Sequence, residues 1–149
     1  MSGSRLKFLA VIVTALALVP AGAHLLEMPS KLALSRDDYL TVQGIYRGWA
    51  LLGVLPIAAV VADLALALAL RRDRAAAGLA LLGGLLMAGA LGVFFVWVFP
   101  ANQATDDWTT LPEPWEALRA QWEYGHAAGA IATLLALCAV VAASLRRGG

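Results

Sequence analysis

Residues 75–105, AAAGLALLGGLLMAGALGVFFVWVFPANQAT, hold no charged side chain. The hydrocarbon core of a bilayer is about 30 Å thick, and a helix rising about 1.5 Å per residue crosses it in about 20 residues. This stretch is long enough to cross with turns to spare. It shows no period-two alternation, and a backbone in lipid must satisfy its polar groups within the segment, so it reads as a helix and not as a barrel strand. Three more stretches read the same way. Phe8 to Leu26 is uncharged between Lys7 and Glu27, Gly48 to Leu70 is interrupted only by Asp63, and Tyr124 to Leu145 carries no charge. The expected fold is all-α: an integral-membrane four-helix bundle, one domain over 1–149, with helices at about 7–27, 40–70, 75–99 and 117–145.

Composition agrees. The chain of 149 residues is 61% hydrophobic and 14% charged, with a mean hydropathy of +0.77. A water-facing domain carries about a quarter of its residues as charges, so the apolar excess is expected to face lipid. A net charge of +1 gives no basic face for phosphates, and nucleic acid is excluded as a partner. The single cysteine, Cys138, excludes an intrachain disulfide and any multi-cysteine metal motif.

Orientation follows from the basic residues. Arg5, Lys7, Arg71, Arg72, Arg74, Arg146 and Arg147 fall on one side of the predicted helices. Lys31, Arg36, Arg47 and Arg119 fall on the other, with Glu27, Asp37, Asp38, Asp106, Asp107, Glu113, Glu116 and Glu123. The first side is expected to be cytoplasmic, with both termini inside, which suits a multi-pass protein of a bacterial inner (plasma) membrane. The connections near 28–42 and 101–118 then form two long extracytoplasmic loops, where function is expected to lie. A competing reading of residues 1–23 is a secretory signal: a basic start, an apolar run to Val19, Pro20, and the small residues Ala21, Gly22 and Ala23. Cleavage there would leave His24 as a new N-terminus. The apolar run continues past that point, so an uncleaved first helix is the working expectation.

Small residues at four-residue spacing, Gly84, Ala88 and Gly92 in the third helix and Gly125 and Gly129 in the fourth, suit close helix packing. Trp49, Trp97, Trp108, Trp115 and Trp122 fall toward the outer boundary, where most would be interfacial anchors. Pro20 and Pro56 read as tolerated kinks and Cys138 as a small buried hydrophobe.

Three ionisable residues lie in or at the edge of the apolar runs: His24, Asp63 and His126. Each costs a few kcal/mol in lipid and is a functional candidate for that reason. Asp63, eight residues from Arg71, is expected to pair with Arg71 or Arg72 by snorkelling, a proton relay being the sharper alternative. His24 and His126 both stand about 25–30 Å from the inner boundary at 1.5 Å per residue, in one layer. His24 and Glu27, like Glu123 and His126, are three apart and share a helix face. On antiparallel helices this order sets both histidines deeper and both glutamates nearer water. His24, Glu27, Glu123 and His126 are therefore candidate metal ligands, in the manner of carboxylate and histidine pairs of bundle metalloproteins. Gln43, Tyr46, Arg47, Asn102, Arg119 and Trp122 gather at the same end, able to hold a ligand head or stabilise an oxyanion.

Four short stretches carry a family resemblance: Ala23-His24-Leu-Leu-Glu27-Met-Pro29, Val42-Gln43-Gly-Ile-Tyr46-Arg47, Phe99-Pro100-Ala-Asn102 and Trp122-Glu123-Tyr-Gly-His126. Together they resemble the small four-helix membrane proteins related to anthrone oxygenase, many of them known only as a domain of unknown function. Trp122 and His126 match the tryptophan-x-x-x-histidine pattern of that family's last helix. The arginine expected a few residues later is replaced by Gly129 and small neighbours. The resemblance implies oxygenation of a polycyclic phenolic substrate without an obvious organic cofactor.

Two function classes remain. One is a membrane-embedded oxidoreductase or oxygenase acting on a hydrophobic, phenolic substrate. There His24, His126, Glu123, Tyr46 and Asn102 are catalytic, Trp122, Gln43 and Arg47 bind the cofactor or ligand, and Trp49, Trp97 and Trp122 wall the site. The cofactor stays open between a transition metal, a haem and none. The other is a non-enzymatic membrane protein (a metal, haem or lipid binder, or a small subunit) in which the same layer only fixes packing. Membrane lipid is the expected partner in both, and a homo-oligomer is compatible with both.

Overall fold

The computed structural model describes residues 3–146, so Arg147, one of the seven basic residues expected on the cytoplasmic side, lies outside the described residues. These residues form helices α1 (Gly3–Leu32), α2 (Arg36–Gln43), α3 (Val54–Ala69), α4 (Arg74–Val93), α5 (Phe99–Ala104) and α6 (Trp115–Leu145), and no strand is present among them. Four stretches are long and apolar enough to cross a membrane: Ser4–Leu32, Trp49–Ala69, Arg74–Ala104 and Trp115–Leu145. α1 packs on α6, α6 on α4, α4 on α3 and α3 on α1, which closes the ring of a four-helix bundle. Val19, Leu51, Val61, Leu68, Leu85 and Leu135 are exposed on its outside, an apolar surface that suits acyl chains and not water.

The helix limits differ from expectation in three places, each with a local cause. α1 does not stop near Glu27 but runs to Leu32 through Pro20 and Pro29, because the charges at its end are drawn into the protein and need not mark a water boundary. The expected second helix at 40–70 is divided. Ser35 caps α2 by accepting a hydrogen bond from the Asp38 N–H at 3.3 Å, and Asp37 and Asp38 sit in its first turn. Gly48 then takes φ +84°, open to glycine because it lacks a Cβ, and the chain re-enters a helical path at Trp49. The third helix passes through a wide π turn over Phe94–Val98 before α5, a one-residue bulge of the kind found beside functional sites.

The connections expected on the extracytoplasmic side do not form open loops. α2 and the turn after α5 fold over the bundle end, where Tyr39, Val98, Ala101, Trp108, Leu111, Trp115 and Trp122 form one buried cluster. Within that turn Asp106, Asp107 and Trp108 all have positive φ. Trp108 is fastened there by its own N–H to Thr105 Oγ1 at 3.1 Å and by its indole N–H to Asn102 Oδ1 at 3.0 Å. At the opposite end Lys7 Nζ donates to the Ser144 carbonyl at 3.0 Å. Asp73 caps α4 through the Ala75 and Ala76 amides. The Ala76 amide bond and the nearby Arg146 guanidinium hold its carboxyl below the usual carboxylate range.

Several packing expectations are corrected. The tight glycines are Gly83, Gly84 and Gly125, where an added Cβ would lie 2.5 Å from Val140 Cγ2, 2.8 Å from Leu64 Cδ2 and 2.8 Å from Val98 Cγ2. Gly92 and Gly129 face open space, and Ala88 is exposed, since the α4–α6 contact falls on the neighbouring face. Trp108, Trp115 and Trp122 are buried because α2 and the 105–114 turn cover them, so three of the five tryptophans are core and not anchors. Cys138 is exposed.

Candidate functional site

His24, Glu27 and Lys31 follow one another at three and four residues along α1 and so share a face. Arg119, Trp122, Glu123 and His126 do the same on α6. Because α1 and α6 are antiparallel neighbours, the two faces meet beneath the cap formed by α2 and the 105–114 turn. The rings of His24 and His126 stack with centroids 4.0 Å apart and planes 26° apart. Tyr46 stands 4.6 Å from the His24 ring, Trp122 5.0 Å and Trp49 5.5 Å. Trp122 also lies 4.2 Å from His126, with Phe94 of the π turn at 6.3 Å. His24 is buried, and its Nδ1 has no hydrogen-bond partner. Trp97, expected in the aromatic wall, is 54% exposed and faces outward.

The glutamates do not join the imidazoles. Glu123, fully buried, accepts on Oε1 from Lys31 Nζ at 2.8 Å and from the Tyr39 hydroxyl at 2.9 Å. Gln43 Nε2 donates to Tyr39 at 2.6 Å. Lys31, itself buried, also donates to the Tyr46 hydroxyl at 3.0 Å, and Tyr46 in turn donates to Glu27. The ammonium lies 4.3 Å from the Trp122 ring centre and 4.5 Å from that of Tyr46, within range of a cation–π contact. A buried ammonium thus bridges toward both carboxylates. Burial pushes the Tyr39 hydroxyl well above the usual phenol range, and the Glu123 charge and hydrogen bond add to it. For Tyr46, burial again comes first, followed by the hydrogen bond to Glu27.

This arrangement does not fit the expected metal set. Among the described residues no three His, Cys, Asp or Glu side chains come together to hold an ion. Lys31 and the tyrosines take up the carboxylates, and the imidazoles lie face to face. A shared metal at about 2.0–2.1 Å from each nitrogen needs converging lone pairs, and stacked rings direct theirs side by side. A haem held between the two rings fails for the same reason.

The remaining predicted residues are placed as follows. Asn102 Oδ1 accepts from the indoles of Trp122 at 2.8 Å and Trp108 at 3.0 Å, so it fixes two ring orientations. Gln43 holds Tyr39, and its own Oε1 is buried without a partner, as is Glu123 Oε2. Arg47 is exposed beside the break at Gly48 and is not part of the cluster. Arg119 donates to the Leu34 carbonyl at 2.9 Å and stacks on Trp115. An open groove of about 370 Å³ between Val93, Trp97, Gln121 and Tyr124 is lined by neither histidine.

Sequence reading missed Lys31 and Tyr39. Lys31 was legible as the next position on the His24–Glu27 face had α1 been carried past Pro29. Tyr39 had no such signal, since α2 reaches Glu123 only through the tertiary fold. Fold and site together define an all-helical protein with four membrane-length helices and a buried His, Lys and Glu cluster at one end. Among protein-family models, curated proteins and solved structures, none matches the chain.

Proposed function

We propose that the protein is a membrane-embedded, oxygenase-like oxidoreductase that removes a proton from a hydrophobic, phenolic-type substrate at the His24–His126 pair. The observation that carries this reading is the stacked pair itself: two imidazoles in an aromatic enclosure, with His24 Nδ1 left free of protein partners. An imidazole with an uncommitted nitrogen is a general base. The Lys31 ammonium, beside His24 through Tyr46, supplies positive charge, and its third N–H, not used by Glu123 or Tyr46, is a donor for the oxyanion that forms as an activated methylene loses its proton. With dioxygen as oxidant, converting that methylene to a carbonyl consumes one O₂ and releases one water. The family resemblance of the Trp122 and His126 motif supports the same chemistry.

The site then lies under the outer rim of a bacterial inner membrane, with both termini cytoplasmic. The gathering of basic residues at the other end, where Lys7 meets the Arg146 carbonyl and Arg146 meets Asp73, supports that orientation. Membrane lipid surrounds the bundle and delivers the substrate.

The test is oxygen uptake by the purified protein in lipid nanodiscs with an anthrone as substrate. His24→Gln and His126→Gln each lower the rate about 100-fold or more, with thermal stability retained. Folded variants with undiminished uptake overturn the reading. A second reading, a non-enzymatic protein in which the layer is structural, is favoured by one observation: Lys31, Glu123, Tyr39 and Gln43 largely satisfy one another. It predicts no uptake by the wild type and unfolding of both histidine variants.

A further inference from the structure

Among the described residues two side-chain carboxyl groups are wholly buried, and they are treated differently. Glu123 meets an ammonium and a phenol. Asp63, also 0% exposed, meets neither. Its side chain projects from α3 into the bundle, where both oxygens contact a single group, the Thr14 hydroxyl of α1, at 3.2 and 3.3 Å. One hydroxyl carries one proton, whereas an ionised carboxylate presents about four acceptor positions. An added Cβ on Gly83 would sit 3.5 Å from Asp63 Oδ2, so α4 closes that side. The same added Cβ would also meet Val140 Cγ2 and the Ala136 carbonyl oxygen of α6. The expected pairing with Arg71 or Arg72 does not form. Arg71 donates to the Leu68 carbonyl, and among the described residues no basic side chain forms an ion pair with Asp63. The eight residues from Asp63 to Arg71 span about 12 Å of helix, and the carboxyl faces the bundle interior, so the guanidinium stays with the inner rim.

We propose that Asp63 is a proton-binding site: its carboxyl carries a proton in the resting bundle and forms a neutral hydrogen-bonded pair with Thr14. A lone carboxylate in an apolar interior neutralises instead of remaining charged. The site is separate from the histidine layer, since Thr14 and His24 are ten residues, about 15 Å, apart on α1. Its ligand is the proton alone. On binding, one O–H bond forms on a carboxylate oxygen; on release the proton leaves toward the inner end, and the α1–α3 contact must loosen to solvate the anion left behind.

Infrared spectroscopy of the lipid-reconstituted protein near neutral pH tests this. The difference between wild type and Asp63→Asn is expected to show loss of a protonated-carboxyl stretch, which shifts in deuterium oxide. Loss of carboxylate bands with no protonated-carboxyl band overturns the proposal. Thr14→Val is the second variant. It keeps the carboxyl and is expected to shift the same band as its hydrogen bond is lost; a wild-type spectrum in which Thr14→Val alters only carboxylate bands refutes the assignment even if Asp63→Asn does not fold. Asp63→Asn, a neutral replacement for a neutral acid, is expected to melt within a few degrees of wild type.

Discussion

Lys31 Nζ and Glu123 Oε1 lie 2.8 Å apart, with side chains 4% and 0% exposed, and this ion pair ties the end of α1 to the start of α6 over the histidine stack. Removing one partner of a buried pair costs about 3–5 kcal/mol because the other charge is stranded. Lys31→Met is therefore expected to destabilise the protein by that amount, and Lys31→Met with Glu123→Gln by much less. Thermal unfolding in detergent of both single variants and the double measures this; a double-variant loss equal to the sum of the two single losses would show that the pair is not coupled.

Alkaline pH gives a second prediction. Burial holds the Tyr39 hydroxyl above the ordinary phenol range, so the unfolded chain, titrating at about 10, loses its proton before the native protein does. The native state then binds more protons than the unfolded state, and stability falls as pH rises above about 10. Below that value the contribution is fully present. Tyr39→Phe is expected to be less stable at neutral pH and to show a shallower alkaline decline. A melting temperature that falls equally steeply in the variant contradicts the assignment.

Asn102 orients two indoles through a single oxygen. Asn102→Ala leaves the N–H groups of Trp108 and Trp122 without their acceptor, at about 1–3 kcal/mol each where buried. The expected result is a lower melting temperature together with a shift in tryptophan emission. Unchanged emission would mean that the two rings keep their surroundings without it.

Close packing at Gly125 is tested by size. A Cβ there meets Val98 Cγ2 at 2.8 Å and Trp97 Cβ at 3.3 Å, so Gly125→Ala is expected to cost about 1–3 kcal/mol by overpacking. Gly92→Ala, which points into open space, is expected to be neutral or slightly stabilising, because alanine favours the helix. Equal effects at the two positions would remove the α6 contact with the π turn from the account.

Four spans and their approximate centres were legible because uncharged length is a local property of the chain. Their ends were not. Glu27 and Lys31 look like surface residues until Tyr46, Glu123 and Trp122 are brought around them, and only then does helix past Pro29 become favourable. The depth of His24 and His126 could likewise be counted from the flanking charges, whereas the partner of each glutamate could not.

The chain by itself determined an all-helical bundle with four helices long and apolar enough to cross a membrane, and the end at which both histidines stand, since hydropathy and helical rise act residue by residue. Only the tertiary structure decided that the imidazoles stack, that an ammonium stands between the carboxylates, and that Asp63 meets Thr14 and no arginine. Those contacts join residues up to 102 positions apart, as His24 and His126 are, and depend on side-chain direction around each helix, which spacing along one helix does not specify across two.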